Sequence, residues 1–227
     1  NHEVSRHHFP KEVLYDDFLE SGDPDDSWSL PESEWEAYGL NYTSGTGGTP
    51  KGVVIHHRGA YLMALGTVPA WGVPQHPVYL YTVPMFHCNG WGHAWLNALV
   101  AGSIICIKKI SAKIIFDAIS EYKVTHFGGA PVVLGLLINA PEIDQKTFEH
   151  SVQVMTAGAP PPPAVLEKVE QLGMEVMQVY GLTETFGHIM HCAWDTDWNN
   201  LDFGEQATIK ARQGVQFTHT EETEVLG

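Results

Sequence analysis

From Tyr38 to Gly181 short apolar runs alternate with segments of helical period, and that alternation sharply limits the folds open to the chain. The runs YGLNYT, VYLYTVP, SIICIK, VTHFGGAP, SVQVMTAG and MEVMQVYG read as strands. HRGAYLMALG, GWGHAWLNALVAG, SAKIIFDAISEYK, VVLGLLINA and PPPAVLEKVEQLG read as helices. In the third of these, Ile114, Ile115, Ala118, Ile119 and Tyr122 fall on one face behind a serine N-cap. In the last, Val165, Leu166, Val169 and Leu172 share a face, with proline at its start and Gly173 at its end. This order predicts an α/β fold: a largely parallel sheet with helices on both faces. Beyond about Asp195 the pattern fades, and the final stretch TIKARQGVQFTHTEETEVLG reads as a helix end and a strand.

Residues 1–37 are acidic and rich in turn signals, notably in ESGDPDDSWSLPESEWE, and read as a connector ahead of a core at 38–227. The 227 residues, 44% hydrophobic, suffice for one large domain or one plus a small extension. Twelve Lys and Arg against 27 Asp and Glu give a formal net charge of -15, which argues against nucleic acid as a partner. A bound nucleotide is compatible with that charge, because backbone N–H groups and one lysine can hold a phosphate locally. Cys88, Cys106 and Cys192 are odd in number and far apart, which points to a reducing compartment. No apolar run approaches bilayer-spanning length, and the first residues show no signal-peptide core. The start NHEVSRHHFP lacks an initiator methionine, so the chain is read as not beginning where its gene begins.

The stretch YTSGTGGTPKGVV, Tyr42 to Val54, is read as a loop between a strand and a helix. Glycines there allow backbone N–H groups to converge on an anion. The hydroxyls of Thr43, Ser44, Thr46 and Thr49 offer donors to phosphate oxygens or a ligand to Mg²⁺, and Lys51 adds a point charge. The Walker spacing is not met, and Pro50 precedes Lys51. Taken alone, the stretch also suits a plain linker.

Three further blocks change that balance. TSGTGGTPKG resembles the phosphate loop of AMP-forming acyl-activating enzymes, usually T-S-G-T-T-G-x-P-K-G. PMFHCNGW (Pro84 to Trp91), TAGAPPPP (Thr156 to Pro163) and YGLTET (Tyr180 to Thr185) resemble later blocks of the same superfamily in the same order. GGAPVVLGLLINAP, CAWDTDWNN and KARQGV look most like short- and medium-chain acyl-CoA synthetases, the group of methylmercaptopropionyl-CoA ligases and plant acyl-activating enzymes. The resemblance implies a two-step reaction. A carboxylate oxygen attacks the α-phosphorus of ATP and pyrophosphate leaves; coenzyme A sulfur then attacks the acyl carbon and AMP leaves. Negative charge builds on phosphate oxygens, so donors and metal aimed there carry the catalysis.

Residue roles follow from the resemblance alone. Thr43, Ser44, Gly45, Thr46, Gly47, Gly48, Thr49, Pro50 and Lys51 would wrap the β- and γ-phosphates. Thr46 and Glu184 would ligate Mg²⁺ through hard oxygens. Tyr180 would stack on adenine, with Gly158, Ala159 and Pro160 opposite, while Gln178, Val179, Gly181 and Thr183 would contact the adenylate. His87, with Lys51, Thr183 and Glu184, makes up the expected catalytic set, His87 facing the reacting carboxylate. Cys88 and Trp91 would line the acid site, Trp91 as a gate, and Gly128, Gly129 and Ala130 would shape its floor. Plainer readings stand beside these: Glu184 as a surface acid, His87 as a hydrogen-bonded buried histidine, and Trp91 and Trp95 as core residues of one helix. The prolines after Ala159 suit a helix start. The pairs His7-His8 and His56-His57 lack accompanying ligands and are assigned no metal.

The chain departs from the superfamily pattern at Gly47, where a second threonine is usual. No Y-R-T-G-D-like block and no small C-terminal domain with its lysine are found, so the chain reads as a middle portion of the large domain. The expected partners are ATP, coenzyme A, a small carboxylic acid and the remainder of a longer parent chain; a homodimer is left open. The expected location is cytoplasmic, or peroxisomal for a plant protein. Two alternatives remain open: a non-catalytic nucleotide- or acyl-binding module, and an adenylating relative with a different acyl acceptor.

Overall fold

The structure, a computed structural model, describes residues 13–27, 29–44 and 48–224. The chain divides into two units, residues 1–33 and 34–227. Among its described residues the first unit holds one short helix, α1 (Tyr15–Glu20), which the connector reading did not anticipate.

The second unit opens on an antiparallel hairpin, β1 (Ala37–Thr43) and β2 (Lys51–His56), in which Thr43 pairs with Lys51. α2 (His57–Ala70) follows, capped by His56 Nδ1, which accepts from the Gly59 N–H at 2.9 Å. Then come β3 (Val78–Tyr81), the one-turn α3 (Cys88–Trp91), α4 (His93–Leu99), β4 (Ser103–Cys106), α5 (Ala112–Tyr122) and β5 (His126–Gly128). α6 (Pro131–Ile138), β6 (Val152–Thr156), α7 (Pro163–Gln171), β7 (Met174–Leu182), β8 (Gly187–His191), α8 (Phe203–Lys210) and β9 (Val215–Gln216) complete the unit. The large sheet has the order β4-β3-β5-β6-β7-β8-β9. β4, β3, β5, β6 and β7 run parallel, and β8 and β9 add to β7 in antiparallel fashion.

Side-chain alternation along the parallel strands supplies two cores. Leu80 of β3, Val152 and Val154 of β6, and Met174 and Val176 of β7 face one layer with Ile115, Phe116, Leu134, Leu137, Leu166 and Val169 of the helices α5, α6 and α7. Tyr79 and Tyr81, Met155, and Val179 face the opposite layer with Ala64 of α2, Trp91 of α3 and Leu96 of α4. Apolar burial on both faces explains why these strands read as near-continuous apolar runs, and it bears out the helix-covered parallel sheet.

Local readings fare unevenly. Ser111 Oγ accepts from the Ile114 N–H and caps α5 as expected. The buried face of α5 is Ile115, Phe116, Ala118 and Ile119; Phe116 replaces Tyr122, which is 47% exposed. Leu166 and Val169 of α7 are fully buried, with Val165 and Leu172 packed beside them, Pro163 opening the helix and Gly173 following it at φ +83°.

Three readings are corrected. The glycine-rich loop joins two antiparallel strands, not a strand and a helix. GWGHAWLNALVAG is not one helix: Cys88, Asn89, Gly90, Trp91 and Gly92 all have positive φ, and α4 begins only at His93. Trp91 and Trp95 therefore do not share a helical face; Trp91 is buried and Trp95 is 43% exposed. Beyond the runs read as strands, the chain turns back through Thr183–Thr185 into a further strand, β8, which pairs with β7. Thr185 Oγ1 fastens this turn: it accepts from the Leu182 N–H at 2.9 Å and lies within hydrogen-bonding distance of the Leu182 and Gly187 carbonyls.

Candidate functional site

Because β3, β5, β6 and β7 are parallel neighbours, the segments after them emerge at one edge of the sheet, the carboxyl edge where α/β sheets bind ligands. Those segments are Pro84–Trp91, expected to line the acid (the acid block), Gly128–Ala130, Ala157–Pro160, and the end of β7 with its turn, expected to contact the adenylate (the adenylate block). Contacts join them. Cys88 Sγ lies 3.2 Å from Thr183 Oγ1. A Cβ built on Gly128 would lie 3.2 Å from the Trp91 ring and 2.9 Å from Val83, so only glycine lets the indole settle there. Thr82 Oγ1 donates to the Gly128 carbonyl, and the Gly129 N–H donates to Met155 O at 2.8 Å.

The hairpin reaches the same region. Asn41 Nδ2 donates to Asn89 Oδ1 at 2.5 Å. At its base, Tyr38 packs its ring on Trp95 (5.4 Å between centroids), Phe186 (5.9 Å) and His57 (5.5 Å). Burial pushes the Tyr38 hydroxyl up to about 12, against the hydrogen bond from Trp95 that favours its ionised form. Phe186, in turn, sits in a small core with Ile55, Ala60 and Met63.

The expected site residues divide by exposure. Ser44, Gly48, Thr49, Pro50 and Lys51 are exposed near the hairpin tip and Thr43 is half-buried; Gly45, Thr46 and Gly47 lie outside the described residues, and with Thr46 one half of the expected Mg²⁺ pair. His7 and His8 lie outside them too. His87 is exposed rather than a buried histidine, so its ring is open to solvent at the carboxyl edge. Glu184 is exposed in the turn after β7, Thr183 is half-buried and Tyr180 is 41% exposed. Gly158 (φ +94°), Ala159 and Pro160 are exposed. Gln178 and Val179 differ: both are buried. Val179 packs into the second core. The Gln178 amide, oriented to suit its neighbours, donates to the Lys210 and Ala211 carbonyls and accepts from Gln213 at 2.8 Å. Both side chains therefore serve packing, and what these residues offer a ligand is backbone.

Among the described residues no group of three or more His, Cys, Asp or Glu stands ready to hold a metal, and no helix is long and apolar enough to cross a membrane. A cavity of about 900 Å³ opens at the other end of the sheet beside Gly173, Glu175, His191 and Lys210; none of the expected site residues lines it, although Cys192, Ala193, Trp194 and Asn199 of the CAWDTDWNN block do. A smaller one of about 270 Å³ adjoins the acid block at Thr82–Met85.

Sequence reasoning missed three polar groups that organise this half of the molecule. His93 and His126 are buried against Trp71, His93 also against Tyr79, and His188 is buried beside His93 and Phe217. His93 Nδ1 lies 2.5 Å from the Tyr79 hydroxyl, and His188 Nε2 lies 2.7 Å from Thr67 Oγ1. Burial depresses all three, His93 to about 3 and His126 to about 4. No shared spacing marks them, since they lie far apart in the sequence. The break before α4 did leave a signal: Asn-Gly within CNGWG is a turn dipeptide.

Comparison with known proteins places this geometry. The chain is 49% identical over 215 residues to the peroxisomal acetate/butyrate–CoA ligase AAE7 of Arabidopsis thaliana, covering 94% of this chain and 38% of that one. It is 52% identical over 201 residues to 2-methylpropanoate–CoA ligase CCL4 of Humulus lupulus, covering 88% of this chain and 36% of the relative. The chain thus spans under two fifths of the length of these relatives. The N-terminal domain of FACL13 from Mycobacterium tuberculosis superposes with a TM-score of 0.70 at 27% identity, over 77% of this chain and 44% of that one. The family model described as AMP-binding enzyme matches residues 3–221, and a match of that extent makes the chain a member of the AMP-binding enzyme family.

Proposed function

We propose that the chain is part of an AMP-forming acid–thiol ligase that activates a short- or medium-chain carboxylic acid with ATP and passes the acyl group to coenzyme A. The observation that carries this reading is the meeting of acid block and adenylate block at Cys88 and Thr183, at the carboxyl edge of the parallel strands. The names of AAE7 and CCL4, ligases of small acids, support the choice of substrate.

In this reading Gly48, Thr49, Pro50 and Lys51 hold the distal phosphates with the hairpin backbone. Tyr180 and the Gly158–Pro160 turn flank adenine, and the backbone at Gln178 and Val179 lines the nucleotide. His87, exposed at the edge, faces the acid carboxylate. Glu184 supplies a hard-oxygen ligand suited to Mg²⁺, which would neutralise phosphate charge when bound. The location proposed with this function is the cytoplasm or, as AAE7's name suggests for a plant protein, the peroxisome.

The test is nucleotide discrimination. Lys51→Ala should weaken Mg·ATP binding on the order of tenfold to a hundredfold, the value of a charge-assisted phosphate contact, and leave AMP untouched. Calorimetry reads both. Equal losses for ATP and AMP would remove Lys51 from the distal phosphates. In the companion variant, Glu184→Gln should cut the gain in ATP affinity that Mg²⁺ confers by about tenfold or more; an unchanged gain would move the metal elsewhere.

A further inference from the structure

We infer that Asn89 is a positioning residue: through Asn41 it sets the phosphate hairpin against the acid and adenylate blocks. The inference rests on the nucleotide reading above. Its basis is the backbone from Cys88 to Gly92, where five consecutive residues have φ of +43°, +47°, +63°, +57° and +69°. This is the left-handed region, costly for the non-glycine residues Cys88, Asn89 and Trp91. Such a segment persists only when its surroundings hold it, and each hold here leads to a different part of the site.

Cys88 Sγ contacts Thr183 Oγ1 in the adenylate block at 3.2 Å. The Tyr81 hydroxyl donates to the Gly90 carbonyl at 3.2 Å, tying the turn to β3. Trp91 seats its ring on Gly128. Asn89 alone of these reaches the hairpin: its Oδ1 accepts from Asn41 Nδ2, two residues before Thr43. Gly39 of β1 also lies beside it, at a distance where a Cβ would make an ordinary van der Waals contact with Asn89 Nδ2, 3.8 Å. Asparagine suits the post on two counts, since it tolerates a left-handed backbone and carries an acceptor on a short arm. The pairing is half-buried, so water competes for it only partly.

The strained turn thus works as a strut between hairpin and sheet edge. Nucleotide base and acid are held at the edge, whereas the distal phosphates are held by the hairpin. Loosening the Asn41–Asn89 link lets the hairpin shift relative to the α-phosphate while the sheet stays folded.

The experiment is a double-mutant cycle on this chain with Asn41→Ala and Asn89→Gly. Glycine keeps the left-handed backbone free of strain and removes only the acceptor. Calorimetric affinities for Mg·ATP and for AMP are measured for each variant, with Lys51→Ala as reference. Each single variant is expected to lose about 2- to 10-fold in ATP affinity, the range for one neutral hydrogen bond, with AMP unchanged. The double variant should lose no more than either single. Hydrogen exchange provides a nucleotide-free readout: amides of Tyr42, Thr43, Lys51 and Gly52 should exchange faster in both singles, and those of α5 at the parent rate. Additive losses, parallel losses of ATP and AMP, or unchanged hairpin exchange overturn the inference. If Lys51→Ala weakens ATP while the asparagine variants do not, the nucleotide reading stands and the strut fails; if Lys51→Ala also leaves ATP unaffected, both fall.

Discussion

Acidification from pH 7.5 to pH 5 is expected to remove roughly 4 kcal/mol or more of stability, before ordinary carboxylates begin to titrate. The source is the buried imidazole cluster. His93 and His188 lie 6.1 Å apart, Trp71 stands 5.2 Å from His93 and 4.9 Å from His126, and Phe217 lies 4.8 Å from His188. Burial opposes the charged form first, and the neighbouring imidazoles oppose a second charge on His93 and His188. His93 Nε2 has no hydrogen-bond partner among the described residues, so an added proton there would meet no acceptor; at His126 the Trp71 backbone favours the charged ring, but burial outweighs it.

The sign follows from linkage. With folded values of about 3 for His93 and about 4 for His126, against about 6.5 in the unfolded chain, the unfolded state binds more protons throughout that window. Stability is complete above pH 6.5 and falls as pH drops toward 4. At pH 5 each of these two groups withdraws about 2 kcal/mol, and His188 acts in the same direction. That sum is a large share of the typical 5–15 kcal/mol, so melting followed by circular dichroism should fall by roughly 10 °C or more between pH 7.5 and pH 5. His126→Leu should flatten the slope by about 1.4 kcal/mol per pH unit. A melting temperature constant over this interval would refute the buried-neutral assignment.

What could be read from residue order differs in kind from what could not. Strand and helix identities came from period, because burial on both faces of β3, β6 and β7 leaves an apolar run and burial on one face of α5 and α7 leaves a stripe. The motif blocks were legible as strings, and the parallel order of strands explains why they meet. Their orientation was not. Whether Val179 and Gln178 face a ligand or the core depends on which side of β7 lies under α2 and α8, a tertiary fact. The loop's setting was misread because a glycine-rich segment before a helix looks the same whether or not a short strand such as Lys51–His56 intervenes. β8 was missed because GHIMH alternates glycine, histidine and apolar residues without a clean period, and it is held by pairing with β7. The left-handed turn was hidden by the apolar composition around it, although Asn-Gly and the following Gly92 were the local signal. Tertiary contact overrode propensity at each of these places.

Gly181→Ala should have the sharpest effect of any single methyl added to the adenylate block. Gly181 pairs with His188 where β7 meets β8, next to an irregularity in the register. A Cβ there would lie 1.8 Å from the Gly187 carbonyl oxygen, 2.4 Å from its carbon and 2.6 Å from His188 Cα. All three are backbone atoms, so no rotamer can move aside, and relief requires the strands to part. Parting them displaces the Thr183–Thr185 turn, carrying Thr183 away from Cys88 and Phe186 away from Ile55 and Met63. Overpacking that must be relieved by backbone movement costs about 3 kcal/mol, which in a chain of this size lowers the melting temperature by roughly 6–12 °C. AMP and ATP affinities should fall together, since Tyr180, proposed to stack on adenine, directly precedes the clash; this pattern contrasts with the ATP-only loss expected of Lys51→Ala. Gly158→Ala serves as the control. Its φ is +94°, yet a Cβ there meets nothing within 4 Å, so the cost is confined to backbone strain of about 1–2 kcal/mol. If Gly181→Ala melted with or above Gly158→Ala and bound AMP like the parent, the close approach of β7 and β8 would not be what holds the adenylate block in place.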